Sequence, residues 1–304
     1  MDLARLRTLQ ELAIRKTMAA VAESSRLSPS AVSQQIAQLE NEAGLQLIER
    51  RGRGVRLTAA GERLCVHADR IVAILEEART DLAELKNQVG GEVRIASFPS
   101  IGAALLPPTI RAVQTTHPAL QVTVLEFEPD EGLAAVRAWQ ADAAVIDDLT
   151  VSADVASGTV ETVPLLQDRL YAVLPRDHPL SRHRSVSLAE LRHDPWAVDS
   201  SRKAYTQRLI EMCEAAGFSP RINAQCGSFE MMAAMVETGC SVSIMPGIRL
   251  RLTRGRVAAK HLRPEVPRAI SIAYRRGERR NPALNAVLTE LEAQARHLTS
   301  LGTP

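Results

Sequence analysis

The sequence predicts an α+β multidomain chain: an N-terminal winged helix-turn-helix, one long linker helix, and a C-terminal half built of two α/β lobes. Three observations predict it. Two short helix patterns separated by a turn precede an Arg/Gly-rich hairpin within the first 58 residues. An apolar a/d seam then recurs at alternating spacings of four and three from Leu64 to Val89. Beyond Gly91, strand-like and helix-like runs alternate in two successive rounds, the pattern of a mainly parallel sheet covered by helices.

Leu3, Leu6, Leu9 and Ala13 form the inner stripe of a first helix. Thr17 to Glu23 is a second, short helix of small residues, and Ser24-Ser25-Arg26 fits a tight turn. Ser28 is an N-cap signal and Pro29 sits at the first helical position, where a missing N–H costs nothing. Val32, Ile36 and Leu39 share the buried face of that third helix. Its other face offers Ser30, Ser33, Gln34 and Asn41, polar side chains suited to base edges in a major groove, with the serines near the helix start placed for phosphates. Two short helices joined by a tight turn make a helix-turn-helix. Arg50, Arg51, Arg53 and Arg56 then surround Gly52 and Gly54, a wing whose guanidinium groups reach phosphates or a narrow minor groove. Ser28 to Ala43 taken alone reads equally as a capped surface helix; its neighbours favour DNA. The candidate DNA contacts are Thr17, Ser28, Pro29, Ser30, Ser33, Gln34, Arg50, Arg51 and Arg53.

Thr58 caps the long helix, whose seam is Leu64, Ala68, Ile71, Leu75, Ala78, Leu82 and Leu85. Such a helix projects about 45 Å and needs a cover. Its own C-terminal half is one candidate. The equivalent helix of a second subunit is favoured, since a dimer presents two recognition helices to two half-sites. Asn87 to Gly91 ends the helix in a two-glycine hinge. The predicted parts are therefore 1–58, 59–91 and 92–304.

Hydrophobic residues are 45% of the chain and charged residues 24%, as in soluble globular proteins. The net charge is only +2, yet residues 1–58 hold nine Lys/Arg against six Asp/Glu, concentrated at the wing. The start lacks a basic segment followed by an apolar core, and no apolar run approaches the ~20 residues needed to span a bilayer, so a cytoplasmic protein without membrane contact is expected. Cys65, Cys213, Cys226 and Cys240 show no metal-ligand spacing; no metal or cofactor is expected. They read as buried thiols, with a redox pair Cys213/Cys226 as the sharper alternative. No nucleophile elbow, P-loop or zinc motif appears, which argues against an enzyme.

In open α/β sheets, ligands bind beyond the carboxyl ends of strands, at helix N-termini that favour anions. Three stretches fit: Ser97-Phe98-Pro99-Ser100, Asp199-Ser200-Ser201-Arg202, and Gly227-Ser228-Phe229. Each serine reads equally as a helix cap; their repetition in both lobes favours a pocket, which Phe98 or Phe229 would cover. Asp147 and Asp148, at another strand end, repel an anion or take a cationic group.

The N-terminal third resembles the LysR-type transcriptional regulators. The residues carrying the likeness are Met1-Asp2-Leu3 with Leu6, Ala22-Glu23, Leu27-Ser28, Ala31 to Ile36, Leu39-Glu40, Gly44-Leu45, Leu47 to Arg50, Gly52-Arg53, and Leu57-Thr58 with Gly61. Further on, Leu105-Leu106-Pro107, Asp142 to Val145, His178-Pro179-Leu180, Val236-Glu237 with Gly239, and Met245-Pro246 extend it over essentially the whole chain. Lys16-Thr17-Met18, Ser25 and Ser28-Pro29-Ser30 depart from the family's usual residues, so operator details do not carry over. The resemblance implies a periplasmic-binding-protein-like effector domain, with lobe I about 92–160 and 267–304 and lobe II about 161–266. It also implies a small-molecule effector in the cleft at the stretches above, a homodimer or homotetramer on double-stranded DNA, and contact with RNA polymerase. A regulator that is ligand-independent, or that responds through thiol redox chemistry, is the alternative.

Overall fold

The protein is described by a computed structural model covering residues 1–25, 27–51, 54–84, 89–151, 160–200, 203–250 and 255–300. Helix α1 (Leu3–Arg15) begins where the Asp2 carboxylate accepts the Ala4 N–H at 3.1 Å, and it ends at Lys16 in the left-handed region. Helices α2 (Met18–Ser25) and α3 (Pro29–Ala43) follow, the second closed by Gly44 at φ 67°. Strands β1 (Ile48–Arg51) and β2 (Gly54–Leu57) form an antiparallel hairpin. Leu6, Leu9, Leu12, Val21, Val32, Ile36, Leu39 and Leu47 pack together as the core of this domain.

The long helix α4 (Ala59–Glu84) starts under the Thr58 hydroxyl, which accepts the Gly61 N–H at 3.1 Å. A Cβ at Gly61 would lie 2.1 Å from the Leu47 carbonyl oxygen, so only glycine lets the helix meet that backbone. This close approach corrects the predicted seam at its lower end. Ala68 is wholly buried in the core of its own N-terminal domain, so it is closed to a second subunit, and Leu64 is half-buried against the same core. The exposed apolar stripe comprises Ile71, Ile74, Leu75 and Ala78, with Ile74 64% exposed. Leu85 and the side chain of Leu82 lie outside the described residues.

Next come β3 (Gly91–Ser97), α5 (Pro99–Thr116), β4 (Leu120–Glu126), α6 (Pro129–Arg137) and β5 (Ala143–Asp147). Strand β3 lies parallel to both β4 and β5. Every residue of β5 is buried, as the apolar run Ala143 to Ile146 requires. The chain then leaves along β6 (Val160–Leu174) and continues through β7 (Ser185–Ser187), β8 (Pro195–Asp199), α7 (Lys203–Ala215), β9 (Arg221–Cys226), α8 (Phe229–Glu237), β10 (Ser243–Pro246) and α9 (Gly247–Leu250). It returns along β11 (Ala258–Arg275), and α10 (Pro282–Ser300) closes the first lobe.

Strands β6 and β11 pair antiparallel from Val160↔Arg275 to Leu174↔Ala258, a ribbon shared by both lobes. The sheet order is β10-β6-β11-β5-β3-β4, with antiparallel contacts from β10 through β5. The expected mainly parallel sheet is thus corrected to a mixed one. Two strands that cross between lobes in opposite senses must pair antiparallel, and sequence alternation does not encode that pairing. Ile95, Leu105, Val145, Ile272 and Leu288 centre one core; Leu174, Trp196, Leu209 and Ile244 centre the other. Among the described residues, no helix is long and apolar enough to cross a membrane.

Candidate DNA interface and ligand cleft

At the start of α3 the Ser28 hydroxyl accepts the Ala31 N–H at 3.1 Å and lies 2.8 Å from the Ser30 hydroxyl. Val32, Ile36 and Leu39 anchor the helix on the core, which turns Ser33 and Gln34 outward; Ser28, Pro29 and Ser30 are exposed as well. Thr17 is half-buried and its hydroxyl accepts the Ala20 N–H at 3.2 Å, so it caps α2. The hairpin is tied to this unit where Val55 N–H donates to the Lys16 carbonyl at 2.8 Å. Arg51 and Arg56 are exposed on it, and Glu49 faces Arg56 across the strands. Arg53 and the side chain of Arg50 lie outside the described residues. One exposed polar helix face and a hairpin bearing the exposed Arg51 and Arg56 are thus held by a single core.

Between the lobes lies a cavity of about 440 Å³. Ser97, Pro99, Leu106 and Glu126 line it from lobe I, and Ser228, Phe229, Glu230 and Arg249 from lobe II. Gly102 keeps one wall thin: a Cβ there would lie 3.0 Å from the Ser97 hydroxyl. Ser228 caps α8 by accepting the Met231 N–H at 3.2 Å. Arg249 pairs with Glu230 and its guanidinium carbon stands 5.2 Å from the Phe229 ring centroid. Its Nε is buried without a hydrogen-bond partner among the described residues. The Glu230 carboxyl is held below its ordinary value, first by its own backbone N–H at the start of α8 and then by Arg249, against the opposing effect of burial.

The cleft therefore gathers Ser97, Pro99, Ser228 and Phe229 of the expected residues, and Phe98, Ser100, Asp147 and Ser200 fall elsewhere. Phe98, Ser100 and Asp147 surround a residue that the sequence reading missed, Arg268. Its guanidinium carbon lies 4.7 Å from the Phe98 centroid, its Nη2 donates to the Ser100 hydroxyl at 3.1 Å, and its Nε donates to Asp147 at 2.9 Å. All are buried, so these three positions are corrected from ligand-facing to structural. Asp147 also accepts the Thr150 N–H and hydroxyl, at 2.9 and 2.7 Å, so both its oxygens are engaged within the fold. Ser200 is exposed and donates its hydroxyl to the Cys226 carbonyl at 3.1 Å, away from the cavity lining. Ser201 and Arg202 lie outside the described residues. Arg249 had a visible signal, a helix start straight after the Met245-Pro246 strand. Arg268 had none, because its partners come from three separate segments, Phe98 with Ser100, Asp147, and Asp168 at 3.7 Å.

The expected redox pair Cys213/Cys226 is buried. Cys213 is fully buried and Cys226 nearly so, whereas Cys240 is exposed. Burial pushes the Cys65 and Cys213 thiols up to about 12 and raises that of Cys226 as well. Among the described residues, no group of three or more His, Cys, Asp or Glu side chains is placed to hold a metal ion.

A winged helix-turn-helix joined through one helix to a two-lobed ligand cleft defines a class: the one-component transcriptional regulator. Residues 86–296 match the family model of the LysR substrate binding domain, and residues 3–62 match that of the bacterial regulatory helix-turn-helix proteins of the lysR family. The chain belongs to the LysR family of DNA-binding transcriptional regulators. It is 26% identical over 287 residues, 94% of each chain, to the transcriptional dual regulator GltC of Bacillus subtilis strain 168. It is 26% identical over 290 residues, 91% of each chain, to the hydrogen peroxide-inducible genes activator of Pectobacterium carotovorum subsp. carotovorum. A full-length OxyR variant from Pseudomonas aeruginosa shares the fold at a TM-score of 0.66 and 24% identity, over 97% of this chain and 95% of that one.

Proposed function

We propose that a small carboxylate-bearing metabolite occupies the cleft and sets how the N-terminal domains engage DNA. The observation carrying this reading is Arg249: a cleft cation beside an aromatic ring, with a buried Nε that lacks a partner among the described residues. The start of α8 adds partial positive charge beside it. Leu106, Pro107, Ile110, Val124 and Phe229 supply an apolar lining for the ligand's body. On the DNA side, Ser33 and Gln34 read base edges and Arg51 holds phosphate. The exposed stripe on α4 pairs two subunits, so that two recognition helices meet two half-sites. The protein works in the cytoplasm, without catalysis, and it alters transcription by changing contacts with promoter DNA and RNA polymerase. A ligand acts here only through unequal affinity for two arrangements of the protein, worth about 1–3 kcal/mol in typical couplings.

Burial of the Cys213/Cys226 pair argues against that redox alternative, even though several relatives are named for their response to hydrogen peroxide. A thermal-shift screen of the full chain against small carboxylates and their amides tests the reading. A carboxylate at 100 times its Kd adds about 2.7 kcal/mol of stability. The shift is expected to vanish with the amide and in Arg249→Gln. A hit indifferent to both changes would reject the assignment of Arg249.

A further inference from the structure

A second cavity, of about 390 Å³, lies where the linker helix meets the effector domain, remote from the cleft. Val66, Asp69 and Arg70 of α4 form one wall; Arg137, Trp139 and Arg276 form the other. Val66, 52% exposed, and the small open part of Trp139, 8% exposed, supply apolar surface. Trp139 follows α6 at φ 62°, a backbone conformation uncommon for a bulky residue. The ring is held there by Arg275, whose guanidinium carbon stands 3.6 Å from its centroid. Arg275 is 6% exposed and donates to the carbonyls of Val136 and Ala141 at 2.8 and 2.7 Å. Its Nε is buried without a partner among the described residues.

The neighbouring Gln140 joins the two domains directly: its amide N–H donates to Glu11 of α1, and its oxygen accepts from Arg15 Nη2 at 3.5 Å. The cavity thus sits beside the contact between the DNA-binding and effector domains. Its lining carries four arginines, the fourth being Arg275, against two carboxylates, Asp69 and Glu278. Asp69 already accepts Gln10 Nε2 at 2.5 Å, and Arg275 is 3.9 Å from Glu278. Arg276 is exposed and meets Glu161 only at 3.9 Å, which leaves it able to turn toward a ligand.

We infer that this interdomain cavity is a second small-molecule site, distinct from the cleft, for a planar aromatic carboxylate. The ring packs between Val66 and Trp139, and the carboxylate meets Arg70 and Arg276, one from each wall. A ligand bonded to both walls clamps the DNA-binding domain to the effector domain.

The test uses 4-nitrobenzoate as the probe, titrated into the full chain, with its quenching of tryptophan emission and its heat of binding read in parallel. The chain has two tryptophans, and Trp196 is wholly buried in the lobe II core, so Trp139 is the reporter at the cavity. Saturable quenching is expected, lost in Trp139→Phe while Trp196 emission persists. Arg70→Gln and Arg276→Gln, both surface changes, are each expected to weaken binding about tenfold, the loss of one charge-assisted hydrogen bond. The isosteric neutral 4-nitrobenzamide should not saturate. Linear quenching that is equal for acid and amide, without heat, overturns the site. Saturable binding unaffected by either arginine variant overturns it equally.

Discussion

Arg268 on β11 donates its Nε to Asp147 at the end of β5 at 2.9 Å, and both side chains are almost wholly buried. This pair, with Asp168 3.7 Å away on β6, is where the ribbon joins the lobe I sheet. Breaking a buried pair from one side leaves an uncompensated charge, so Arg268→Met is expected to lower stability by about 3–5 kcal/mol. Urea denaturation of the full chain measures it. Arg268→Met combined with Asp147→Leu should recover a large part of the loss. A loss within about 0.5 kcal/mol, the size of a surface change, would remove the pair from this role.

The DNA interface separates reading from holding. Gln34→Ala is expected to change the preferred base at one operator position by about 1–3 kcal/mol. Arg51→Ala should weaken binding to all sequences and reduce the slope of log affinity against log salt by about 1. Binding-site selection and salt titration of each variant check the two outcomes. Unchanged base preference in Gln34→Ala would mean that another face of α3 enters the groove.

The exposed stripe on α4 predicts an oligomeric defect. Ile74→Glu puts a charge on its most exposed large residue, and the variant should sediment as a smaller species than the parent chain at equal concentration. Its DNA affinity should fall toward that of a single half-site. An unchanged sedimentation profile would assign self-association to another surface.

The thiols predict a pH-dependent pattern of alkylation. With pKa values near 12, Cys65 and Cys213 at pH 8 carry thiolate in only about one molecule in ten thousand. Iodoacetamide followed by peptide mass spectrometry should label Cys240 in the folded protein, with Cys65 and Cys213 modified far more slowly. Reaction at the latter two should quicken about tenfold per pH unit while the fold persists. Rapid peroxide oxidation of Cys213 at neutral pH would revive the redox reading.

What the sequence made legible follows the range of each interaction. Ser28, Pro29 and the Val32, Ile36, Leu39 spacing are local signals, and the structure carries them in one capped helix. Ala68 in the seam misled because an apolar stripe does not say what covers it; the close contact at Gly61 does. In the effector half, the serines marked helix starts, and two of the three groups reach the cleft lining. Phe98, Ser100 and Asp147 turned inward because Arg268 sits 121 residues beyond Asp147 in the chain, and no periodicity reports such a partner.

The ribbon of β6 and β11 also limits how a bound ligand can make itself felt. Two lobes joined by flexible loops swing like a clam shell; these are joined by a hydrogen-bonded ladder. A motion that keeps those bonds is torsion about the ladder axis, like wringing a strap. The ladder shifts register twice, between His261 and Val266 and between Ile270 and Ser271, and β7 pairs with His261 to Arg263 at the first of these. Under the proposed function, a twist of this ladder delivers a small rotation of one lobe against the other rather than a wide opening.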